Sequence, residues 1–298
     1  MLYNVKRNVE LYSTASMILY KYSKDLGSYL EEVHTKNGSI GFVPTMGALH
    51  DGHLSLIETA RQQNDLVVCS IFVNPVQFNN KDDFKNYPST IEHDILTLEE
   101  NGCDVLFMPD ESEIYPDEAS RQQHYQLGYL EEILEGKFRP GHFQGVCLIV
   151  DKLLDIVQPG KLYLGQKDYQ QCMVIKTLVD SFHKDINVVI CPIIREANGL
   201  AMSSRNLRLD DEEKETAASL HKALVTIKEQ IKTDNFLALK DEAIADLEAK
   251  GFRVDYLELA DRSNLQLANC YENDKAYIVL IAAYLGDVRL IDNLLLKG

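Results

Sequence analysis

The stretch Ser39-Ile-Gly-Phe-Val-Pro-Thr-Met-Gly-Ala-Leu-His-Asp-Gly-His53 decides how the rest of this chain is read. Residues 39–45 have the length and apolar character of a buried strand, and a helix is expected over 51–63. A strand that turns sharply into a helix aims unpaired N–H groups and the positive end of the helix dipole at the loop, where anions bind. Gly47 and Gly52 lack a Cβ and let a ligand approach the backbone. His50 and His53 are three apart, so in a starting helical turn they share one face. Two imidazoles so placed can donate to phosphate oxygens as negative charge grows there. The bland alternative is a solvated loop with two unrelated histidines. A metal site is another, but it needs a third ligand, and no H-E-x-x-H pattern is present.

Outward from this unit the same rhythm repeats. Strands are expected at 65–73, 102–107, 161–165 and 186–192, with helices at 90–101, 143–157 and 168–181. The run 65–73 is apolar on both faces, as buried parallel strands are. Strands alternating with helices imply an α/β fold with a doubly wound, Rossmann-like parallel sheet, whose ligands bind beyond the carboxyl ends of the strands. Residues 1–38 read as mostly helical, with Leu26, Tyr29, Leu30 and Val33 at 3–4 spacing and Asn37-Gly38 as a stop. After residue 192 the pattern changes to two long helices, 210–232 and 235–250, and strands at 252–259, 276–284 and 288–296. The expected division is therefore a domain over 1–192 and a smaller α+β domain over 193–298.

Composition excludes several classes. The 298 residues are 45% hydrophobic and 26% charged, ordinary for a folded chain and wrong for a disordered one. A formal charge of −16, with no basic region, argues against nucleic acid and anionic membrane as partners. No apolar run reaches the length of a membrane span, and Lys6 and Arg7 lead into a mixed polar segment rather than a signal peptide. The six cysteines form no C-x-x-C pair, and several sit in apolar runs, so free buried thiols and a cytoplasmic location are expected.

Other segments fall at expected strand ends. In Leu164-Gly-Gln-Lys-Asp-Tyr-Gln-Gln171, Gly165 permits close approach, Lys167 is a point charge suited to phosphate, and Asp168 could cap the helix. Ser203, Ser204 and Arg205 put two hydroxyls and a guanidinium in one tight loop, either a phosphate site or a polar turn between domains. Asn74 and Gln77 follow a buried strand, and Arg139 and His142 enter an amphipathic helix. All four are more polar than turn formation requires.

The ordered set PTMGALHDGH (44–53), FVNPVQF (72–78), RPGHFQGV (139–146), LGQKDYQQ (164–171), MSSRN (202–206) and LGDVRLIDN (285–293) resembles the pantoate–β-alanine ligase family, also called pantothenate synthetases, over about residues 39–298. That family belongs to the nucleotidylyltransferase superfamily with HIGH-type and KMSKS-type signatures. The resemblance implies ligation of (R)-pantoate to β-alanine, with ATP going to AMP and pyrophosphate through pantoyl adenylate. It implies that Met46, Gly47, Ala48, Leu49, His50, Asp51, Gly52, His53, Gly165, Gln166, Lys167, Asp168, Ile194, Met202, Ser203, Ser204 and Arg205 surround ATP. Gln77 and Gln171 would hold pantoate, with Gln77 also toward β-alanine. Pro44 and Met46 would line the gem-dimethyl pocket, with Asn74 supporting them and Arg139, His142, Tyr87 and Asp94 in lesser roles. Mg²⁺ would come with ATP, held mainly by phosphates and water. The resemblance also implies a homodimer and a C-terminal lid. Two competing readings are a nucleotidylyltransferase with a phosphorylated acceptor and a non-catalytic ATP-binding regulator.

Overall fold

The computed structural model describes residues 17–232 and 235–296. Six parallel strands form one sheet: β1 (Ile18–Tyr20), β2 (Ile40–Thr45), β3 (Leu66–Ile71), β4 (Val105–Phe107), β5 (Lys161–Gly165) and β6 (Asn187–Cys191). Their spatial order is β1-β4-β3-β2-β5-β6. The chain runs outward from β2 through β3 to β4, then returns to the other side of β2 for β5 and β6. The winding therefore reverses between β2 and β5, and a crevice opens there beyond the strand ends. Both loops singled out from the sequence, after β2 and after β5, leave the sheet at this point.

The inner strands β2, β3 and β4 are buried on both faces, and their side chains divide with period two. Ile40, Phe42, Leu66, Val68, Val105, Phe107, Leu162 and Leu164 join one core cluster with the helices Ser23–Thr35, His142–Val157 and Tyr169–Phe182. Val43, Val67, Cys69, Leu106 and Tyr163 join a second cluster under the helix Asp51–Gln63.

Four antiparallel strands form the second sheet, in the order β10-β9-β7-β8: β7 (Phe252–Asp261), β8 (Leu267–Ala268), β9 (Tyr277–Leu285) and β10 (Val288–Leu295). One face packs under the helices Ser219–Gln230 and Phe236–Ala249. The other face, through Tyr256, Ile278, Leu280 and Ala282, joins the core of the parallel sheet.

Some details differ from expectation. Of residues 1–38, 1–16 lie outside the described residues, Ile18–Tyr20 is an edge strand on β4, and only Ser23–Thr35 is helical. Three residues are too few to show a strand period. The strand expected over 102–107 begins at Val105, because Gly102 turns at φ +73° and the Asp104 carboxylate accepts the Val67 N–H. The helix expected over 210–232 is two, Asp211–Ala217 and Ser219–Gln230, divided where the backbone tightens at Ala218. Asp168 precedes the helix Tyr169–Phe182 without capping it. All six cysteines are free. Five are buried as expected, and Cys270 is exposed.

Candidate active site

The loop after β2 is shaped by bonds that reach into it from outside and from itself. Thr45 donates its hydroxyl to the Ser70 carbonyl (2.7 Å) and accepts the Gly47 N–H (3.2 Å). Gly47 and Ala48 then take φ of +79° and +50° in succession. Left-handed backbone suits glycine and costs alanine about 1 kcal/mol or more. The fully buried Asp94 holds this turn by accepting the N–H groups of Ala48 (2.8 Å) and Leu49 (2.9 Å) and the Thr90 hydroxyl (3.0 Å). Asp94, given a lesser role toward substrate by the sequence reading, instead braces the loop from behind.

His50 caps the helix that follows. Its Nδ1 accepts the Gly52 N–H at 3.1 Å, and Nδ1 of His53 accepts the His50 N–H at 3.4 Å. The two rings lie 4.1 Å apart between centroids. Burial pushes His50 down to about 3, helped by His53 and Lys167, and burial with Lys167 pushes His53 down to about 4. Both rings are therefore neutral at pH 7. With each Nδ1 accepting a backbone N–H, each proton sits on Nε2. Desolvation beside Lys167 thus makes the two imidazoles that the sequence reading offers as phosphate donors neutral ones.

Around them lies a cleft of about 210 Å³. Met46, Gly52, Gly165, Lys167, Asp168, Ile194, Met202, Ser203, Ser204 and Arg205 line it, as do Pro44, Asn74, Gln77 and Gln171. Its floor is apolar, with Val146, Ile149, Val150, Leu153 and Ile175 from the helices behind the sheet. These five carry no chemical signal in the sequence, which reads them only as core. The half-buried Gln171 side chain makes no hydrogen bond to protein, and the Lys167 ammonium has no ion-pair partner among the described residues. A larger, polar cavity of about 610 Å³ between the two sheets shares Lys167, Asp168, Ser203 and Arg205 with this cleft.

Asn74 and Gln77 form the opposite wall. Asn74, 1% exposed, donates to Gln77 Oε1 (3.1 Å) and to the Gly145 carbonyl (3.0 Å), and accepts from the Tyr115 hydroxyl (2.8 Å). Its own polar atoms are thereby used, and its effect is to orient Gln77. Among the described residues Gln77 Nε2 has only the sulfur of Met46, at 3.0 Å, as a partner and stays available to a better acceptor. Gly145 allows this packing, since a Cβ there would lie 2.6 Å from Gln77 Cα. His142 and Arg139 stand one layer back. His142 Nδ1 bonds the Gln77 carbonyl at 2.8 Å, and Arg139 bonds His142 Nε2 at 3.2 Å. Neither lines this cleft, and Arg139 lines the larger cavity instead.

Other expected residues are displaced or occupied. Ala48, Leu49 and Asp51 line an adjoining cavity of about 180 Å³ that shares His50, Met202, Ser203 and Ser204 with the cleft. Gly47 shapes the turn, since a Cβ there would meet Asp94 and Ile71 at 3.1 Å. The Gln166 side chain turns away from the cleft to bond Asn293 at 3.0 Å. The Ser204 hydroxyl donates to the Ala48 carbonyl at 3.0 Å and ties the two signature loops together. Arg205 is paired through two bonds, 2.7 and 3.1 Å, with Asp83, and lies 5.4 Å from the Tyr87 ring centroid. Burial works against the charge of Asp83, but the bonds and charge of Arg205 hold its carboxyl below the usual range. The sequence alone leaves Arg205 in either a phosphate site or a polar turn between domains. An acidic residue 122 positions away in the chain occupies it here.

Comparison with known proteins agrees with this geometry. The family model for pantoate-beta-alanine ligase matches residues 19–295. The match begins before residue 39, so the helix Ser23–Thr35 lies within the family's span and not in an extension. A pantothenate synthetase of Cytophaga hutchinsonii is 47% identical over 94% of this chain and 99% of its own length. One from Aquifex aeolicus is 43% identical over 93% and 98%. Among solved structures, a pantothenate synthetase of Thermus thermophilus superposes with a TM-score of 0.86 at 37% identity, covering 95% of this chain and 100% of that one. The Francisella tularensis pantoate-β-alanine ligase complexed with beta-gamma ATP and β-alanine gives 0.79 at 41% identity, covering 95% and 99%. With the parallel sheet, its switch-point cleft and the six motifs in order, these likenesses establish that the chain belongs to the pantoate–β-alanine ligase family.

Proposed function

We propose that the chain ligates (R)-pantoate to β-alanine, driven by ATP cleavage, by way of pantoyl adenylate. The observation that carries this reading is the pairing of two neutral Nε2–H imidazoles and an unpaired lysine with a wall of amides over an apolar floor. A pantoate carboxylate oxygen attacks the α-phosphorus, and the bond to the bridging oxygen breaks, releasing pyrophosphate. The β-alanine nitrogen then attacks the acyl carbon, the acyl–oxygen bond breaks, and AMP leaves as the amine loses its proton.

The side chains divide the work by chemistry. His50 and His53 donate to phosphate oxygens, and Lys167 supplies positive charge where the pentavalent centre and pyrophosphate carry most negative charge. His53 has no proton to remove from a carboxylate nucleophile, so it is read as a donor and not as a base. Gln77 and Gln171 bond pantoate oxygens without offering a competing nucleophile, and Pro44 and Met46 face the gem-dimethyl group. Ile194 and Met202 border the nucleotide. The triphosphate extends toward the larger polar cavity through Lys167, Ser203 and Arg205. No cluster of three or more His, Cys, Asp or Glu among the described residues is arranged to hold a metal ion. Mg²⁺ would come with ATP, carried mainly on its phosphates and water, with Asp168 the carboxylate that lines both the cleft and the larger cavity.

The acceptor wall of amides and apolar groups argues against a nucleotidylyltransferase with a phosphorylated acceptor, which needs cations there. We further read residues 1–192 as the substrate-binding domain, 193–298 as a lid, the active form as a homodimer and the location as cytoplasmic. Among the described residues no helix is long and apolar enough to cross a membrane.

Pyrophosphate release tests the order of steps. Mixing enzyme, ATP and pantoate should give one pyrophosphate per site in a burst, and adding β-alanine should start steady turnover. Pyrophosphate that appears only with all three substrates overturns the adenylate scheme.

A further inference from the structure

The segment LGDVRLIDN (285–293) lines the larger polar cavity, and its last two residues touch both phosphate-facing loops. It forms the end of β9 and most of β10. Asn293 is 1% exposed. Its Nδ2 donates to the carbonyls of Gln166 and Lys167, both at 2.9 Å, and its Oδ1 accepts from Gln166 Nε2 at 3.0 Å. Both polar atoms of this amide are thus engaged with the turn that carries Lys167.

On either side the turn is held by β5, where Gly165 pairs with Cys191 and its carbonyl accepts from Cys172 Sγ at 3.3 Å, and by the helix that begins at Tyr169. Gly165 before it is open, with nothing within 4 Å of a built Cβ, and Asp168 makes no capping bond. Among the described residues the Lys167 ammonium has no ion-pair partner that could anchor it. The bonds to the Gln166 and Lys167 carbonyls from outside this strand–turn–helix unit come from Asn293 of the second sheet.

The neighbouring residue acts on the other loop. Asp292, 3% exposed, accepts both terminal nitrogens of Arg195, at 2.7 and 2.9 Å, and the Asn293 N–H at 2.7 Å. Arg195 donates on to the Gly199 carbonyl at 3.0 Å and pairs by a backbone bridge with Ala201, one residue before Met202. Successive residues of a strand point to opposite faces. Asn293 lies opposite Leu280, on the face turned to the parallel sheet, and Asp292 lies opposite Ile281, on the face turned to the C-terminal helices. One dipeptide can in this way reach two loops.

We propose that Asn293 is a positioning residue for ATP cleavage, fixing Lys167 through the Gln166 and Lys167 carbonyls, while Asp292 sets the Ser203–Arg205 loop through Arg195, so that β10 registers the two loops against each other. The inference rests on the reading of Lys167 as the group that meets the phosphates.

Asn293→Asp keeps the size of the side chain and turns oxygens toward two carbonyls. Its kcat for AMP formation with all three substrates should fall about 10²-fold, the scale of a misplaced reacting group. KM for pantoate should not change, since pantoate contacts other side chains. Asn293→Ser loses the reach without adding charge and should fall in the same direction. In a double-variant cycle, Asn293→Asp with Lys167→Ala should be no slower than Lys167→Ala alone, because the two act as one unit. Val288→Ala, on the same strand but buried in the C-terminal core, controls for loosening. It should lower Tm and leave kcat unchanged. Multiplying losses in the double variant, a loss confined to pantoate KM, or a kcat loss in Val288→Ala equal to that of Asn293→Asp overturns the assignment. Normal turnover by Lys167→Ala overturns the phosphate reading of Lys167 itself, and so is told apart from failure of the Asn293 assignment.

Discussion

The loop 46–53 and the loop 195–206 face each other across one cleft, but they are held in different ways. The first is fixed mainly by short-range bonds, Thr45 to Gly47 and His50 with His53, plus the single buried carboxylate of Asp94. The second depends on partners far along the chain: Asp292 on Arg195, Asp83 on Arg205, and the Ala48 carbonyl on Ser204. The difference teaches how the two loops differ in readiness. His50 and His53 already present their Nε2–H donors, whereas Arg205 meets a phosphate in competition with Asp83, through the guanidinium donors that Asp83 leaves over. One side of the site is preformed, and the other is exchangeable.

The sharpest way to break this comparison is to remove the preformed donors. His50→Ala or His53→Ala should lower pyrophosphate formation about 10²–10³-fold, the range for a lost oxyanion donor. Stability should fall by only about 1 kcal/mol, the scale of a helix cap. Stopped-flow detection of pyrophosphate together with thermal denaturation separates the two. Near-normal rates would show that the ordered side of the cleft does not face the reacting phosphate.

Next in size is the brace behind that loop. Asp94→Ala leaves the Ala48 and Leu49 N–H groups without their acceptor and removes the counterweight to left-handed Ala48. Bonds to a charged acceptor contribute about 1.5–3 kcal/mol each, so a loss of about 3 kcal/mol in urea unfolding is expected, with turnover falling as well. A stable variant with full activity would mean that the loop needs no outside support.

Protonation offers a milder test. His50, His53 and His142 are held neutral, at about 3, 4 and 3, by burial first and neighbouring cations second. The unfolded chain takes up these protons near pH 6.5. Lowered folded values for bases mean that stability is fully present above about pH 6.5 and declines as pH falls toward 4. Glu135 adds to this at lower pH. Burial opposes its charge, but the bonds from Arg289 bring it down to about 2, so its contribution is lost as pH falls through that value. The urea midpoint should therefore drop steadily below pH 6.5, and less steeply in His142→Gln. A flat profile down to pH 4 would contradict neutral, buried imidazoles.

The smallest effect belongs to the exchangeable side. Asp83→Asn frees Arg205 from its carboxylate and should tighten ATP binding about fivefold, since a partly exposed ion pair contributes about 1 kcal/mol. Calorimetric titration of ATP measures it. Weaker binding would show that Asp83 orients Arg205 for phosphate and does not compete with it.

These contrasts also mark how far the sequence can be read. The bounds of the helix Asp51–Gln63 and the strand Lys161–Gly165 follow from apolar runs, turns and glycines within a few residues, so both are legible. So are the switch-point loops and their histidines, lysine and serines, because a strand–turn–helix unit concentrates them locally. The three-residue edge strand and the break at Ala218 are not, since neither spans a period.

By itself, then, the sequence determined the alternation of strand and helix, the place of the cleft at the end of β2 and β5, and the chemical types gathered there, because these depend on neighbours within one turn or one strand. Only the tertiary structure decided what each group is free to do. Desolvation beside Lys167 made the histidines neutral, Asp83 occupied Arg205, Asn293 drew Gln166 out of the cleft, and Asp94 became a brace. Burial and hydrogen bonding between segments as many as 156 residues apart set protonation and availability, and no local pattern encodes them.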